Sequence, residues 1–298
     1  MLHVLKQWAA RALSLCVIGP AAAWVAHRVL AADGTHQTTL LTGDSLTTGL
    51  SSLVGVALLV LLTGVIVARL VDRREGLLNM AFVLGWVAWT SGQLGEVFRV
   101  RPDTGTLVML AAEGLLLTGA VLLAGVLMTD PQRGGRMGQP DDVSRFDLPL
   151  LFSSLTSKPG LAAMLAGIVG AAAVAMLFGQ SDLPGQSVGV GFGAGILGGV
   201  AGAMAAGSMR GGDEELVATP YAPIMLGVML CAVIAPLLGI VRPGAGDLAG
   251  LVVRGDLPGY LIVSPSAWVI CALLGVPVGH SWVEHSAAQA NATTPAMA

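Results

Sequence analysis

The sequence predicts an all-α, polytopic bundle of about eight transmembrane helices, on three observations. Hydrophobic residues fill 54% of the 298 positions and charged ones only 11%, against roughly 25% charged in a soluble domain. The apolar residues fall in blocks of about twenty, each bounded by Arg, Asp, Pro or Gly. Unpaired backbone amides are too costly in hydrocarbon, so each block must close its hydrogen bonds internally as a helix.

The first block is short, with only Ala12–Ala26 free of charge after Lys6 and Arg11. A cleaved leader has a similar outline, with Val29 and Ala31 as the small residues before a cut, but His27 and Arg28 stand where such a region is uncharged. Cys16 follows Leu15, whereas a lipid-acceptor cysteine needs a small neighbour there. The reading adopted is an uncleaved, tilted helix with Lys6, Arg11 and Arg28 reaching the interfaces; a cleaved leader would leave seven spans. The remaining spans are expected at Leu46–Ala68, Leu77–Phe98, Thr106–Met128, Gly160–Gly179, Val188–Met209, Thr219–Val241 and Leu257–Val278, each long enough for a core of about 30 Å.

These spans divide the chain into a first four-helix half (1–128), a linker (129–159), a second four-helix half (160–285) and a disordered tail (286–298). Within the linker, Phe146, Leu148, Leu150, Leu151, Phe152 and Leu155 suit a short segment lying on the bilayer surface. At an offset of 141 residues, VRPDTGTL from Val100 meets VRPGAGDL from Val241, Arg69 meets Arg210 and Asp72 meets Asp213. A repeat of that kind with four spans per unit would be parallel, about an axis along the membrane normal; chance matches of Arg, Pro and Gly are the competing account.

Placing the N-terminus inside puts ten of the fifteen basic residues on the inner side. The positive-inside rule then gives an inner (plasma) membrane protein with both termini cytoplasmic. Net charge is −3 and no basic stripe occurs, so the partners expected are the bilayer and a membrane-protein partner or second copy, and not nucleic acid. Cys16, Cys231 and Cys271 all fall within spans and read as packing residues. No cofactor is implied.

The sixth span carries small residues in two series that step by four, including Gly191, Gly195 and Gly199 in one and Gly198 and Gly202 in the other. Residues four apart share a face, so another backbone can approach closely. The fifth span has a matching series at Ala163, Gly167, Ala171, Ala175 and Gly179, which predicts a tight hairpin of spans five and six. A glycine-lined path or an oligomer contact would use the same faces. Pro236 should kink the seventh span and free a carbonyl.

The polar residues that stand out inside spans are Gln93, Glu96 and Glu113. Phe82, Trp86, Trp89, Gln93 and Glu96 fall on one helical face, which would bring Gln93 to Glu113 and form an intramembrane polar cluster. A carboxylate at that depth must be neutralised, paired or wetted, which suits proton coupling. Its structural alternative is helix-to-helix hydrogen bonding at Glu113 and snorkelling of Glu96 toward Arg99 or Arg101. His280 and Glu284, four apart, offer at most two ligands to a metal, and a solvated helix end is the plainer reading.

No GxSxG, HExxH or Walker motif occurs. Function therefore divides between a small-solute or ion permease with a polar pocket and a non-catalytic scaffold or accessory subunit. A membrane-embedded metalloenzyme using His280 and Glu284 stands behind both.

Overall fold

The computed structural model describes residues 2–128, 153–181, 183–209 and 221–293, and among them it is all-helical, without a strand. Most of the linker, with its surface segment as far as Phe152, lies outside the described residues, as do Arg210, Asp213 and residues 294–298.

Helix α1 (Leu2–Leu13) runs through a π-helical turn at Ser14–Ile18 into α2 (Gly19–Ala26). Then come α3 (Leu46–Leu70), α4 (Arg73–Thr90), α5 (Leu94–Val100) and α6 (Thr104–Leu127). The second half holds α7 (Lys158–Phe178), α8 (Pro184–Ser208), α9 (Tyr221–Gly239), the short α10 (Leu248–Arg254) and α11 (Pro265–Thr293). The N-caps are set locally: Ser45, Asp72, Asp103 and Ser157 each accept an N–H three residues on, the pairing that supplies one of the donors orphaned at a helix start.

Among the described residues, seven helices are long and apolar enough to cross a membrane: Leu2–Ala26, Leu46–Leu70, Thr104–Leu127, Lys158–Phe178, Gly185–Ser208, Tyr221–Arg242 and Pro265–Ala287. The chain thus has the character of a multi-pass membrane protein. The expected span that is missing from this set is Leu77–Phe98, which the structure breaks at Ser91–Gln93 into α4 and α5. The hydroxyls of Thr90 and Ser91 fold back onto the carbonyls of Trp86 and Val87, and the Gly92 N–H leaves the helix to donate to Thr38 O at 2.6 Å. Ser-Gly pairs are sites where a helix bends sharply, and a Cβ at Gly92 would run into the Gln37–Thr38 backbone. The aromatic face expected to line the interior lies outside it, with Trp86 and Trp89 exposed, while Asn79, Met80, Val83, Leu84 and Val87 are buried.

The last helix also differs from expectation. Its predicted first turns, from Leu257 to Ser264, are a loop with a 3₁₀ turn at Gly259–Leu261, and the helix runs on to Thr293, through part of the segment expected as tail.

Elements meet at two ends, called here proximal (where α1 starts) and distal. Proximally, Arg11 holds Glu75 through two hydrogen bonds, its Nε at 3.0 Å from Oε2. His3 lies 3.8 Å from Asp72. Arg69 and Arg73 donate to the carbonyls of Leu127 and Met128, tying the α3–α4 turn to the end of α6. Distally, Leu94, Val97 and Phe98 of α5 form a small core with Leu107 and Leu110 of α6, Leu248 of α10 and Leu261. The VRP segments from Val100 and Val241 both lead into this distal region, one into α6 and the other toward α10.

The two glycine series of α8 face different neighbours. A Cβ on Gly198 would lie 2.9 Å from Gly167 O of α7, and one on Gly202 2.8 Å from Ala163 O. On the other side, a Cβ on Gly199 would lie 2.6 Å from Val276 O of α11, and Gly191 and Gly195 meet Cys271. Helix α11 answers with Gly275, whose Cβ would lie 2.6 Å from Phe192 O, and with Gly279 against Ile196. Both faces of α8 are therefore occupied within the chain. The α7–α8 hairpin follows the sequence expectation; α11 on the second face was not foreseen, although Cys271, Gly275 and Gly279 step by four.

Candidate functional site

The site forms where a non-helical segment enters the bundle. After α2 the chain turns at Ala31–Thr35, where Gly34 adopts a φ of 81° and the Asp33 carboxylate accepts the Thr35 N–H and hydroxyl at 3.0 and 2.8 Å. Those bonds hold the Asp33 carboxyl below its ordinary pKa. Beyond the turn, Thr38, Thr39, Leu40, Leu41, Thr42 and Gly43 are buried. Irregular backbone at membrane depth is tolerated only when protein or a cavity surrounds it, and here it is enclosed.

Threonine hydroxyls knot the segment together. Thr42 Oγ1 meets Thr38 Oγ1 at 2.9 Å and Thr39 Oγ1 at 3.1 Å, and it accepts the Thr39 N–H. The margins are fixed from outside the segment: Thr38 O accepts from Gly92, Gly43 O accepts from Arg101 Nη1 at 3.0 Å, and Leu30 O accepts from Asp44.

At the centre stands Glu113 of α6, fully buried at 0% exposure. Nine residues past the helix start, it lies about 14 Å along the axis. Its Oε2 accepts the Leu41 N–H at 3.0 Å, and Oε1 has no hydrogen-bond partner. No salt bridge within 4.0 Å joins it to a described cationic side chain. The carboxyl is thus held by the loop, through the Leu41 N–H on Oε2, with the Thr39 hydroxyl and the Leu40 N–H also turned toward it.

The neighbouring residue, Gly114, packs directly against α9. Pro236 has no N–H to give to Ala232 O four residues earlier, and a Cβ on Gly114 would sit 2.5 Å from that oxygen. Glycine at this position lets α6 and α9 touch beside the acid.

The other two members of the expected cluster lie elsewhere. Gln93 is the N-cap of α5 and makes no hydrogen bond to Glu113. Glu96 pairs with Arg99 at 3.0 Å and lines a distal surface pocket with Gln180, Ser181 and Gly255. Sequence reasoning missed the Thr38–Thr42 knot as the partner of Glu113. The signal it offered was three threonines with Leu40 and Leu41 inside a connector otherwise polar.

His280 Nδ1 lies 3.5 Å from Glu284 Oε2, and the His280 ring stands edge-on to Tyr221 at 5.6 Å. Among the described residues no group of three or more His, Cys, Asp or Glu is placed to hold a metal. The pair does not assemble a third ligand of those kinds.

No family model matches the chain, and neither a curated protein nor a solved structure does. The geometry alone bears on function.

Proposed function

We propose that this protein is a permease-like integral protein of the inner membrane, in which Glu113 is the group that binds and releases a proton inside the bundle. The observation that carries the reading is the state of its carboxyl: wholly buried, held by the Leu41 N–H of the enclosed loop, and without a salt bridge to any described cationic side chain. Ionisable residues at such depth mark ion or proton pathways. Non-helical backbone beside such a group is characteristic of transporter binding sites.

In this reading α4 and α5 together complete an eighth crossing, and the proximal face is cytoplasmic. Arg11, Arg69, Arg73 and Arg74 are all proximal, in line with the positive-inside rule. The first helix stays in the mature protein, because Glu75 is only 6% exposed and Arg11 is its partner; removal of α1 would leave a buried charge unpaired. Contacts between halves support a parallel repeat: α4 packs on α11, α9 packs on α6, and α6 meets α11 between them.

The scaffold reading loses its main support, since the α8 glycine faces that would serve a partner are filled by α7, α9 and α11. The test is proton flux into proteoliposomes carrying an internal pH dye. Glu113→Gln should abolish the flux; unchanged flux removes Glu113 from the mechanism.

A further inference from the structure

Resting on the reading of Glu113 as the proton-binding group, we propose that Thr38, Thr42 and Thr39 form a hydroxyl relay that carries the proton between the distal surface and the Glu113 carboxyl. The three oxygens are within hydrogen-bond reach of one another: Thr38 Oγ1 lies 2.9 Å from Thr42 Oγ1, which lies 3.1 Å from Thr39 Oγ1. The Thr39 hydroxyl is turned toward the Glu113 carboxyl. At the other end Thr38 is 5% exposed, and the residues before it, Gln37 and His36, are exposed. The row of hydroxyls therefore runs from the rim of the buried stretch to the acid.

A relay member must give and accept a proton at once, and a hydroxyl has one proton and two lone pairs with which to do so. Thr42 uses all three: its oxygen accepts the Thr39 N–H at 3.1 Å and one neighbouring hydroxyl, and its proton goes to the other. With Glu113 ionised, Thr39 donates to the carboxylate, Thr42 to Thr39 and Thr38 to Thr42. A hydronium ion at the rim gives its proton to Thr38 Oγ1 as the Thr38 proton passes to Thr42, the Thr42 proton to Thr39 and the Thr39 proton to Glu113. Each threonine oxygen gains one O–H bond and loses one, the hydronium becomes water, and Glu113 ends as the neutral acid. The transfers are concerted, so no hydroxyl is left charged, and the three hydroxyls rotate back before the next proton.

The segment is anchored firmly enough to keep this row in line. Leu40 and Leu41 belong to the main core, and α3 backs the chain at Gly49, where a Cβ would lie 2.5 Å from Leu40 O. Gly92 holds Thr38 O and Arg101 holds Gly43 O. Along α6 the face of Glu113 continues as Leu110 and Leu117, both buried, and Gly114 is closed by α9. Those neighbours give the acid no polar route, and the threonines do.

The test is an acid jump on the full-length protein in lipid vesicles, followed by time-resolved infrared absorption of the carboxyl band that Glu113→Gln removes. Thr42→Val and Thr38→Val should each slow the growth of that band by about tenfold or more, and Thr42→Ser, which keeps the hydroxyl, should restore the parent rate. Two further hydroxyls separate Thr38 from the acid, so Thr38→Val should leave the pH midpoint of the band unchanged. It also keeps the Thr39 N–H on Thr42, and so it tests the relay even where Thr42→Val does not fold. Parent rates in the valine variants, a moved midpoint at an unchanged rate, or a Thr42→Ser as slow as Thr42→Val overturns the relay and leaves the proton site standing. Absence of any Glu113-dependent band in the parent removes the proton site itself, and the relay with it.

Discussion

Single residues decide most of the behaviour argued above, and two acids show how context sets their roles. Glu75 and Glu113 are both buried, but Arg11 neutralises the first, whereas the second has a backbone amide and no cation. Glu75 is therefore structural. Arg11→Met should lower stability by about 2 kcal/mol, less than the roughly 3–5 kcal/mol for breaking a wholly buried pair because the Arg11 side chain is partly exposed. Thermal melting in mild detergent measures this. Glu75→Met added to Arg11→Met should recover much of the loss, and a double variant as weak as the single one would count against the pairing.

At the scale of elements, the spans that could be read from sequence are those whose signal is local. Blocks such as Leu46–Leu70 and Thr104–Leu127 carry their length and apolarity within themselves, and the small-residue series of α7 and α8 show their faces by spacing alone. The α4–α5 break was not legible from apolarity, because its cause is a partner more than fifty residues earlier, the Thr38 carbonyl that takes the Gly92 N–H. The connector of residues 27–45 reads as an exposed loop by its Asp, Gly, His and Gln residues. Its Thr38–Gly43 stretch is nonetheless buried, with Leu40 and Leu41 in the core and the Leu41 N–H on Glu113, 72 positions away, and no local pattern encodes that pairing. Glu113 itself was legible as a lone acid in an apolar run, but its partner was not.

Two predictions belong at this scale. Gly92→Val should dislodge the Gln37–Thr38 backbone and destabilise the protein by about 2–3 kcal/mol, seen as a lower melting temperature and as proteolysis within residues 36–44; a neutral result would contradict the close approach. Gly199→Leu should separate α8 from α11 at Val276 at a similar cost. A disulfide reporter between the two helices, formed in the parent and lost in the variant, checks it. Survival of the crosslink would show that the contact is not required.

For the molecule as a whole, the described residues hold seven long apolar helices, and the segment expected as a further span is broken into α4 and α5. The break positions a loop inside the bundle, and the loop holds the acid. The proposed retention of α1 is tested by intact mass of the purified protein, which should include the Leu2–Ala26 segment. A mass corresponding to cleavage after Ala31 would leave Glu75 without Arg11 and contradict the assembly described.

In the proposed mechanism the Glu113 carboxyl takes up a proton inside the bundle. Infrared difference spectra of the protein in lipid, recorded between alkaline and acid pH, test it most directly. A protonated-carboxyl band is expected that grows on acidification and disappears in Glu113→Gln. A spectrum in which Glu113→Gln removes no such band would contradict it.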